Sequence, residues 1–354
     1  MISSRESDPA IHLGTVIENL AVCAEHRRMT LRLQAFPEAQ PGQFLHLCPP
    51  SSATMGYRTF EWGDGSTHDT WVAEWSYPML RRAFSIAGLT RAGGVADASV
   101  IYRVVGSATR WLDSLNEGSL VSVLGPLGNR FPIRRDKRRA WLVAGGVGLP
   151  PMLWLAEALG AAGRETVAFC GARRLDLLAL TLSREIAPPA DARTATLCAG
   201  EFARVHTPVV ISTDDGSAGF CGHVGTALTA YHTANPVPGD EVVVYTCGPE
   251  LMMRSVAEYC LSRRIECYVC MERAMACGTG TCQSCVVPVR AAHDPEGWRY
   301  RLCCTEGPVF PAGDILWDEP TQARPRAGSA GRRIGDQCGG VSGGGDQHNR
   351  HRGS

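Results

Sequence analysis

The stretch Met275-Ala276-Cys277-Gly278-Thr279-Gly280-Thr281-Cys282-Gln283-Ser284-Cys285 decides how this chain is interpreted. Its cysteines follow the spacing Cys-x4-Cys-x2-Cys, and the pair Cys303-Cys304 comes downstream. With a fourth cysteine, this is the plant-type spacing for a [2Fe–2S] cluster. The glycines inside the stretch allow a short loop to fold around a cluster and to point backbone N–H groups at its sulfurs. The pattern therefore predicts an electron-transfer centre.

A four-cysteine zinc site is the alternative, since thiolates also bind zinc. Two Cys-x2-Cys pairs are available for it, Cys267 with Cys270 and Cys282 with Cys285. The gap between these pairs is shorter than the usual zinc spacing, and zinc would leave Cys277 and its glycines unexplained. A zinc-stabilised, non-catalytic binding module is therefore the hypothesis from a different functional class.

The composition is that of a globular protein with more than one domain. The chain has 354 residues with 35 basic and 35 acidic side chains, so no net field favours nucleic acid or an anionic membrane. Its 15 cysteines would suit a disulfide scaffold, but their odd number and the lack of a secretory pattern in MISSRESDPAIHLG favour reduced thiols in the cytoplasm. The most apolar region, residues 141–159, is interrupted by glycines and prolines, so no membrane span is predicted.

The N-terminal part predicts a small antiparallel β-barrel, because short β-rich runs alternate with polar turns. Pro41-Gly42 leads into a strand at residues 43–47. Residues 48–80 carry three tryptophans and are long for a loop, which indicates a surface excursion or a lid. A later strand at residues 100–105 leads to Gly106-Ser107-Ala108-Thr109, which opens an amphipathic helix. That helix start is either an ordinary N-cap or a phosphate-binding turn.

After residue 137 strands and helices alternate, which is typical of a parallel, doubly wound α/β sheet. Strands are predicted at residues 140–144, 166–169, 194–198, 209–211 and 241–246, with helices beginning at Pro150, Val224 and Glu250. Ligands of such sheets bind beyond the carboxyl ends of the strands. The candidate binding turns are therefore Gly145-Gly146-Val147-Gly148, Ser212-Thr213-Asp214-Asp215-Gly216 and Cys247-Gly248-Pro249.

These features together predict a flavin. Nicotinamide cofactors carry hydride, whereas an iron–sulfur cluster takes one electron at a time. A flavin can accept an electron pair and release it singly. A protein that joins a nicotinamide site to a cluster therefore needs a flavin, and we expect it in the barrel.

The ordered motifs resemble the ferredoxin-reductase-like flavoproteins, and within them the electron-transfer subunits of dihydroorotate dehydrogenase B, from Gly14 to Trp317. The matching motifs are Pro41-Gly42-Gln43-Phe44, Arg82-Ala83-Phe84-Ser85, Tyr102 to Thr109, Gly145 to Pro150, Ser212 to Gly216, Cys247-Gly248-Pro249, Met275 to Val286, and Cys304-x-x-Gly307-Pro308-Val309-Phe310. One departure is Gly106-Ser107-Ala108-Thr109, where the family usually has Gly-x-Gly-Thr. The segment before Arg81 is longer than in the family.

The resemblance implies FAD, NAD and a [2Fe–2S] cluster as cofactors. It places Arg82 on the FAD pyrophosphate and Ser85 beside the flavin ring. It also implies a cofactor-binding role for Ala83, Phe84, Tyr102, Gly106, Ser107, Ala108, Thr109, Gly145, Gly146, Gly148, Cys247, Gly248 and Pro249. By the same resemblance Ser85 and Cys247 would be the catalytic positions, with Cys247 bordering the nicotinamide rather than acting as a nucleophile.

The implied cluster ligands are Cys277, Cys282, Cys285 and one of the pair Cys303-Cys304. Adjacent side chains cannot both reach one iron without a bent backbone. Cys304 keeps the family's distance to Gly307-Pro308, which favours Cys304 as the fourth ligand and leaves Cys303 as its rival.

The resemblance further implies an electron-transfer subunit in pyrimidine biosynthesis. A separate FMN-dependent dihydroorotate dehydrogenase subunit would supply electrons, which pass through the cluster and FAD to NAD⁺, with two copies of each subunit. The expected domains are a FAD barrel at residues 1–137, an α/β nicotinamide domain at 138–263, a small [2Fe–2S] domain at 264–318, and a disordered tail at 319–354, which has almost no apolar residues.

A reductase subunit of another complex, such as a sulfide dehydrogenase or a ferredoxin-NADP reductase-like protein, is the related alternative. Asp214 and Asp215 favour NAD over NADP by repelling a 2′-phosphate.

Overall fold

The computed structural model describes residues 10–50, 55–61, 66–73 and 80–318. The predicted tail at 319–354 lies outside the described residues, as do Trp62 and Trp75. No helix within the described ranges is long and apolar enough to cross a membrane.

Six strands close into an antiparallel barrel, as predicted. They are β1 (Ala10–Ala21), β2 (His26–Gln34), β3 (Phe44–Cys48), β6 (Arg82–Ala92), β7 (Val95–Arg103) and β8 (Leu120–Leu127), and they pair in the order β1-β2-β7-β6-β3-β8. In β2 the apolar residues Met29, Leu31 and Leu33 are fully buried, whereas Thr30 and Arg32 between them are not. This period of two places alternate side chains in the barrel core.

Strand β3 departs from that alternation because both of its faces are covered. Leu45 and Leu47 belong to the barrel core, while Phe44 belongs to a second core that includes Cys285, Cys303 and Phe310 from the C-terminal region. The outward face of β3 is therefore the surface on which the cysteine-containing region packs.

The long segment at residues 48–80 contains a two-stranded antiparallel sheet, β4 (Met55–Glu61) with β5 (Thr67–Ala73). It pairs with no other described strand. Whether it acts as a lid stays a prediction.

The second half forms the predicted doubly wound sheet. Its strands are β9 (Arg139–Gly145), β10 (Glu165–Ala172), β11 (Val209–Thr213), β12 (Phe220–Cys221), β13 (Val242–Cys247), β14 (Glu266–Cys270) and β17 (Val309–Pro311). The strand order is β12-β11-β10-β9-β13-β14-β17, and every pairing is parallel except that of β14 with β17. The helices are α1 (Ser107–Asp113), α2 (Leu149–Ala161), α3 (Gly200–Ala203), α4 (Val224–Ala234) and α5 (Glu250–Ser262).

Helices cover both faces of this sheet, as the apolar strands require. Helix α2 contributes to the core on one face, while α4 and α5 contribute to the core on the other. In the central strand β9 the residues from Ala140 to Ala144 are all buried, which explains why that run lacks alternating polar positions.

The prediction of a strand at residues 194–198 is wrong. Only one bridge forms there, between Thr196 and Val209. Strands β10 and β11 pair directly with each other, with Ala168 opposite Val209. Because no place is left between them, the segment crosses the beginning of β11 instead of joining the sheet.

The C-terminal region both extends the sheet and carries the cysteine loop. Strands β14 and β17 join the sheet, and a separate hairpin is formed by β15 (Val286–Arg290) and β16 (Trp298–Leu302). Although β14 lies beyond the boundary predicted at residue 263, it pairs along its full length with β13. The division at residue 263 stays a proposal.

Asn129 ties the barrel to this C-terminal region. Its side-chain nitrogen donates to the carbonyl oxygens of Glu306 and Val309, both at 2.9 Å. Its side-chain oxygen accepts the N–H of Val309 at 2.9 Å, and its backbone N–H donates to the carbonyl oxygen of Gly307 at 2.6 Å. One amide side chain thus satisfies three backbone groups of the segment that follows Cys304.

We expect Asn129→Ala to lower the free energy of unfolding by about 1–3 kcal/mol, because it leaves backbone groups of Glu306 and Val309 without partners. Urea unfolding of the purified protein measures the change. Asn116→Ala is the matched control, since Asn116 lies in an exposed turn. Equal stability of the two variants would contradict the importance of this link.

Candidate functional site

A cavity of about 380 Å³ lies where the barrel, the sheet and the C-terminal region meet. It is lined by Phe44, Ala83, Phe84, Ser85, Ile101, Tyr102, Arg103 and Val105 from the barrel, by Val147, Pro150 and Cys247 from the sheet, and by Cys270, Met271, Glu272, Arg273, Met275 and Pro308 from the C-terminal region. The structure therefore brings the two predicted catalytic positions, Ser85 and Cys247, into one cavity. Sequence patterns gave no signal for Glu272 or Met271.

A larger depression of about 510 Å³ lies elsewhere, lined by Glu157, Arg164, Glu165, Thr166 and His206 among others. It is at the amino end of β10, away from the glycine-rich turns. Because ligands of doubly wound sheets bind at the carboxyl ends of the strands, the smaller cavity is the candidate site.

The barrel wall of the cavity is held by hydrogen bonds and ring contacts. The rings of Phe84 and Tyr102 meet edge to face with their centroids 6.1 Å apart. The Tyr102 hydroxyl donates to Asn19 Oδ1 at 3.0 Å, and burial raises the pKa of Tyr102 to about 12. Tyr102 is therefore a neutral, fixed part of the wall.

The two arginines before Ser85 have different surroundings. Arg81 donates to the carbonyl oxygens of His46 and Ser122 and to the Ser122 hydroxyl, so it joins β3 to β8. The guanidinium of Arg82 is exposed and donates to the carbonyl oxygens of Leu80 and Arg81. Arg82 is thus outside the cavity lining, and its contact with a pyrophosphate stays a prediction.

The second predicted FAD segment forms the start of helix α1. The Thr109 hydroxyl oxygen accepts the N–H groups of Val105 and Gly106, at 2.9 and 3.0 Å. The N–H groups of Ser107 and Ala108 follow in the first turn, where a helix has no preceding carbonyl to receive them. Since Val105 lines the cavity, this turn is at its rim.

The two glycine-containing turns pack directly against each other. A Cβ at Gly148 would lie 2.1 Å from the carbonyl oxygen of Cys247, so only glycine fits there. Gly145 ends β9 and Gly146 begins the turn that contains Gly148, while Gly248 and Pro249 follow Cys247 at the end of β13. The predicted nicotinamide residues are therefore brought together by a backbone contact, and they hold Cys247 at the cavity wall.

The thiols of Cys247 and Cys270 are in contact, because β13 and β14 place the two residues side by side. The Cys247 thiol and burial raise the pKa of Cys270 well above its ordinary value. Cys270 is therefore a protonated thiol at neutral pH, which agrees with a lining role rather than with nucleophilic chemistry.

The two carboxylates in the turn after β11 have partners in nearby residues. Asp215 accepts hydrogen bonds from the backbone N–H and the hydroxyl of Ser217, which hold the pKa of that carboxyl below its usual range. Asp214 lies 3.1 Å from a ring nitrogen of His223. Ser212, Asp214 and Asp215 are outside the cavity lining, so a contact with the cofactor's ribose stays a prediction.

The predicted cluster cysteines stand as two pairs of thiols. Cys277 and Cys282 are in contact, and the Sγ of Cys277 accepts the backbone N–H groups of Thr279 and Cys282, each at 3.4 Å. These N–H groups lower the pKa of Cys277 to about 6. The thiolate is the form that binds metal, so this loop already favours the ligating state.

The second pair is Cys285 with Cys304, whose side chains are in contact and buried. Burial and the Cys285 thiol raise the pKa of Cys304 to about 12. The thiol of Cys303 is directed elsewhere, since it donates to the carbonyl oxygen of Met271 at 3.3 Å. The adjacent cysteines therefore face different surroundings.

Two separate pairs fit a two-iron cluster, in which four cysteine thiolates are shared between two irons. A structural zinc ion instead needs four ligands around one centre. Within the described residues no three His, Cys, Asp or Glu side chains stand close enough to hold a single ion. Cys267 and Cys270, proposed for zinc, lie in the cores on opposite faces of the sheet.

Comparison with known proteins identifies one family model. The iron–sulfur cluster binding domain of dihydroorotate dehydrogenase B matches residues 272–316, the region that contains all the predicted cluster ligands.

Curated relatives cover most of the chain. The electron transfer subunit of dihydroorotate dehydrogenase B (NAD(+)) from Desulforamulus reducens is 31% identical over 281 residues, which are 79% of this chain and 88% of that protein. The same subunit from Bacillus mycoides is 32% identical over 247 residues, which are 69% of this chain and 83% of that protein.

Two solved structures share the fold. The NADH-dependent reduced ferredoxin-NADP oxidoreductase gives a TM-score of 0.63 at 23% identity, covering 86% of this chain and 90% of that chain. The ferredoxin reductase of carbazole 1,9a-dioxygenase gives 0.52 at 17% identity, covering 73% and 68%.

We expect Gly148→Ala to raise the KM for NADH about tenfold or more, because the new methyl group pushes the turn away from Cys247 at a cost of about 1–3 kcal/mol. NADH oxidation with ferricyanide as acceptor measures this. Gly160→Ala is the control, since a Cβ there meets its nearest neighbour, the Val205 carbonyl oxygen, at 3.6 Å. An unchanged KM in Gly148→Ala would contradict a nicotinamide site at this turn.

Proposed function

The chain belongs to the electron transfer subunits of dihydroorotate dehydrogenase B, and from this premise we propose that it carries electrons between an FMN-dependent dihydroorotate dehydrogenase subunit and NAD⁺. The proposed assembly contains two copies of each subunit in the cytoplasm and serves pyrimidine biosynthesis. The observation that carries the proposal is the single cavity that joins Ser85, Cys247 and the segment leading to the cysteine loop.

We propose that FAD binds along the barrel wall of this cavity. Ala83, Phe84, Ser85 and Tyr102 line it, and the rim at Gly106, Ser107, Ala108 and Thr109 would face the phosphates together with Arg82. The nicotinamide would enter from the turns that contain Gly145, Gly146, Gly148, Gly248 and Pro249. Ser85 and Cys247 would then border the two rings.

When bound, the cluster passes single electrons, and FAD exchanges electron pairs as hydride with NAD⁺. The protein's part is to orient these groups and to exclude water. Met271, Met275 and Pro308 line the C-terminal side of the cavity with apolar surface, and the hydrogen bond from Tyr102 to Asn19 keeps the barrel wall fixed. Apolar, preorganised surface of this kind would favour hydride transfer over side reactions with water once the cofactors fill the cavity.

For the cluster we propose two ligand pairs, Cys277 with Cys282 on one iron and Cys285 with Cys304 on the other. The contacts within each pair support this assignment. Cys303 is not proposed as a ligand, because its thiol is engaged by the Met271 carbonyl.

The partner is tested by co-purification with the FMN-dependent subunit, followed by an assay of orotate-dependent NADH oxidation. We expect a stable complex that is active only when both subunits are present. A monomer that is fully active without the partner would favour a reductase of another complex, such as a sulfide dehydrogenase.

We expect Cys282→Ser to lose the iron–sulfur absorption while it keeps FAD, because the loop residues and the barrel wall are separate parts of the site. NADH should still bleach the flavin. Visible spectra and iron content measure both effects. Simultaneous loss of both cofactors would contradict separate binding sites.

We expect the two adjacent cysteines to differ. Cys304→Ser should lose the cluster, since Cys304 forms a pair with Cys285, whereas Cys303→Ser should retain it. Iron content and the electron paramagnetic resonance (EPR) signal of the reduced protein provide the comparison. The opposite result would make Cys303 the ligand.

A further inference from the structure

His46 is a buried polar side chain that the machinery described above does not use. It lies within β3, and none of its surface is exposed. Neither of its ring nitrogens has a hydrogen-bond partner among the described residues. A neutral imidazole has one donor and one acceptor, and leaving both unmade in a buried position costs free energy. We therefore expect a group outside the polypeptide to pair with this ring.

The ring faces the cysteine loop. Because Leu45 and Leu47 point into the barrel core, His46 points to the opposite face of β3 with Phe44, and the two rings are 5.7 Å apart. The ring lies against Gly278, where an added Cβ would be 2.9 Å from His46 Cε1 and 3.0 Å from Nδ1. Gly278 has a φ of +77° and directly follows Cys277, so glycine is required where the loop meets the ring.

A hydrogen-bond partner for His46 is expected on the side of the cysteine loop rather than on the side of the cavity proposed for FAD. Its strand neighbour Ala83 lines the cavity proposed for FAD, but His46 itself is not part of that lining. On the side of Gly278 the expected acceptors are the thiolate and sulfide sulfurs of the cluster. Hydrogen bonds to such sulfurs are among the features that set a cluster's reduction potential.

The charge state suits a hydrogen-bond donor rather than a cation. Burial, followed by the nearby charges of Arg81 and Arg82, lowers the pKa of His46 to about 4. The ring is therefore neutral at pH 7 and keeps one N–H group. Arg81 also holds the backbone of His46 through its carbonyl oxygen, which fixes the strand beneath the loop.

We propose that the His46 imidazole donates an N–H hydrogen bond to a sulfur of the iron–sulfur cluster and raises the cluster's reduction potential. The inference rests on the cluster proposed above at Cys277, Cys282, Cys285 and Cys304. It also gives the barrel a direct role in the cluster's properties, because the donor comes from β3 and not from the loop.

Pulsed EPR of the intact protein tests the hydrogen bond. The protein is prepared with ¹⁵N-labelled histidine and reduced with dithionite. We expect a ¹⁵N coupling to the reduced cluster in the unsubstituted protein and its loss in His46→Phe. His26→Phe is the matched control, since His26 is also buried with an unpartnered Nε2 but lies beside Cys23 at the start of β2. The coupling should persist in that variant.

A redox titration supplies the second measurement. His46→Phe should shift the midpoint potential of the cluster to a more negative value, because it removes a donor to the reduced, more negative cluster. His46→Gln keeps an N–H donor and should restore part of the shift. A role confined to packing would give the same potential in all three proteins, which would overturn the proposal.

The outcomes separate this proposal from the one on which it rests. Absence of any EPR signal in the reduced, unsubstituted protein would contradict the cluster itself. A normal cluster signal without ¹⁵N-histidine coupling would overturn the role of His46 alone, as would be found if a buried water paired with the ring. This second result needs no substitution, so it holds even if His46→Phe does not fold.

Discussion

The hydrogen bonds of Asn129 are the interaction on which the arrangement of the cofactor sites depends. The barrel is a closed set of six strands and the sheet an open set of seven, and each packs around an apolar core. The cysteine loop at residues 275–285 contains no strand. It is positioned because the segment after Cys304 is fixed to the barrel through Glu306, Gly307 and Val309, and because Val309 begins β17, which pairs with β14. One amide thus helps to set where Cys304, the fourth proposed ligand, lies relative to the barrel wall of the cavity.

The direct contact between the turns after β9 and β13 makes a second constraint. Gly148 meets the carbonyl oxygen of Cys247 so closely that no side chain fits between them. Ligands of such sheets bind beyond the carboxyl ends of the strands, and this contact brings the turns after β9 and β13 together at that edge. Cys247 is thereby held against Cys270 at the head of the segment that leads to Cys277. The turn after β13 and the segment before the cysteine loop are thus joined through the pairing of β13 with β14.

Local sequence patterns predicted most of the strands and helices. The features that these patterns missed are set by contacts between residues far apart in the sequence. The barrel, the parallel sheet and the cysteine spacing were predictable because each has its own period or motif, as in the alternation of Met29, Leu31 and Leu33. The strand at residues 194–198 was wrong because the pairing of β10 with β11 excludes it. Asn129 reads as an ordinary turn residue, since its partner Val309 lies 180 positions away.

His46 shows the same limit at the level of chemistry. In the sequence Phe44-Leu45-His46-Leu47 the histidine occupies the position where an alternating strand faces solvent, so an exposed residue is the natural prediction. In the structure the cysteine region covers that face, so the imidazole is buried and both of its nitrogens lack hydrogen-bond partners among the described residues. A strand that must be apolar on both faces would ordinarily carry valine or leucine there. A polar ring in that place has a physical reason only if something beside it accepts or donates a hydrogen bond, and the cluster proposed beside Gly278 would supply that group.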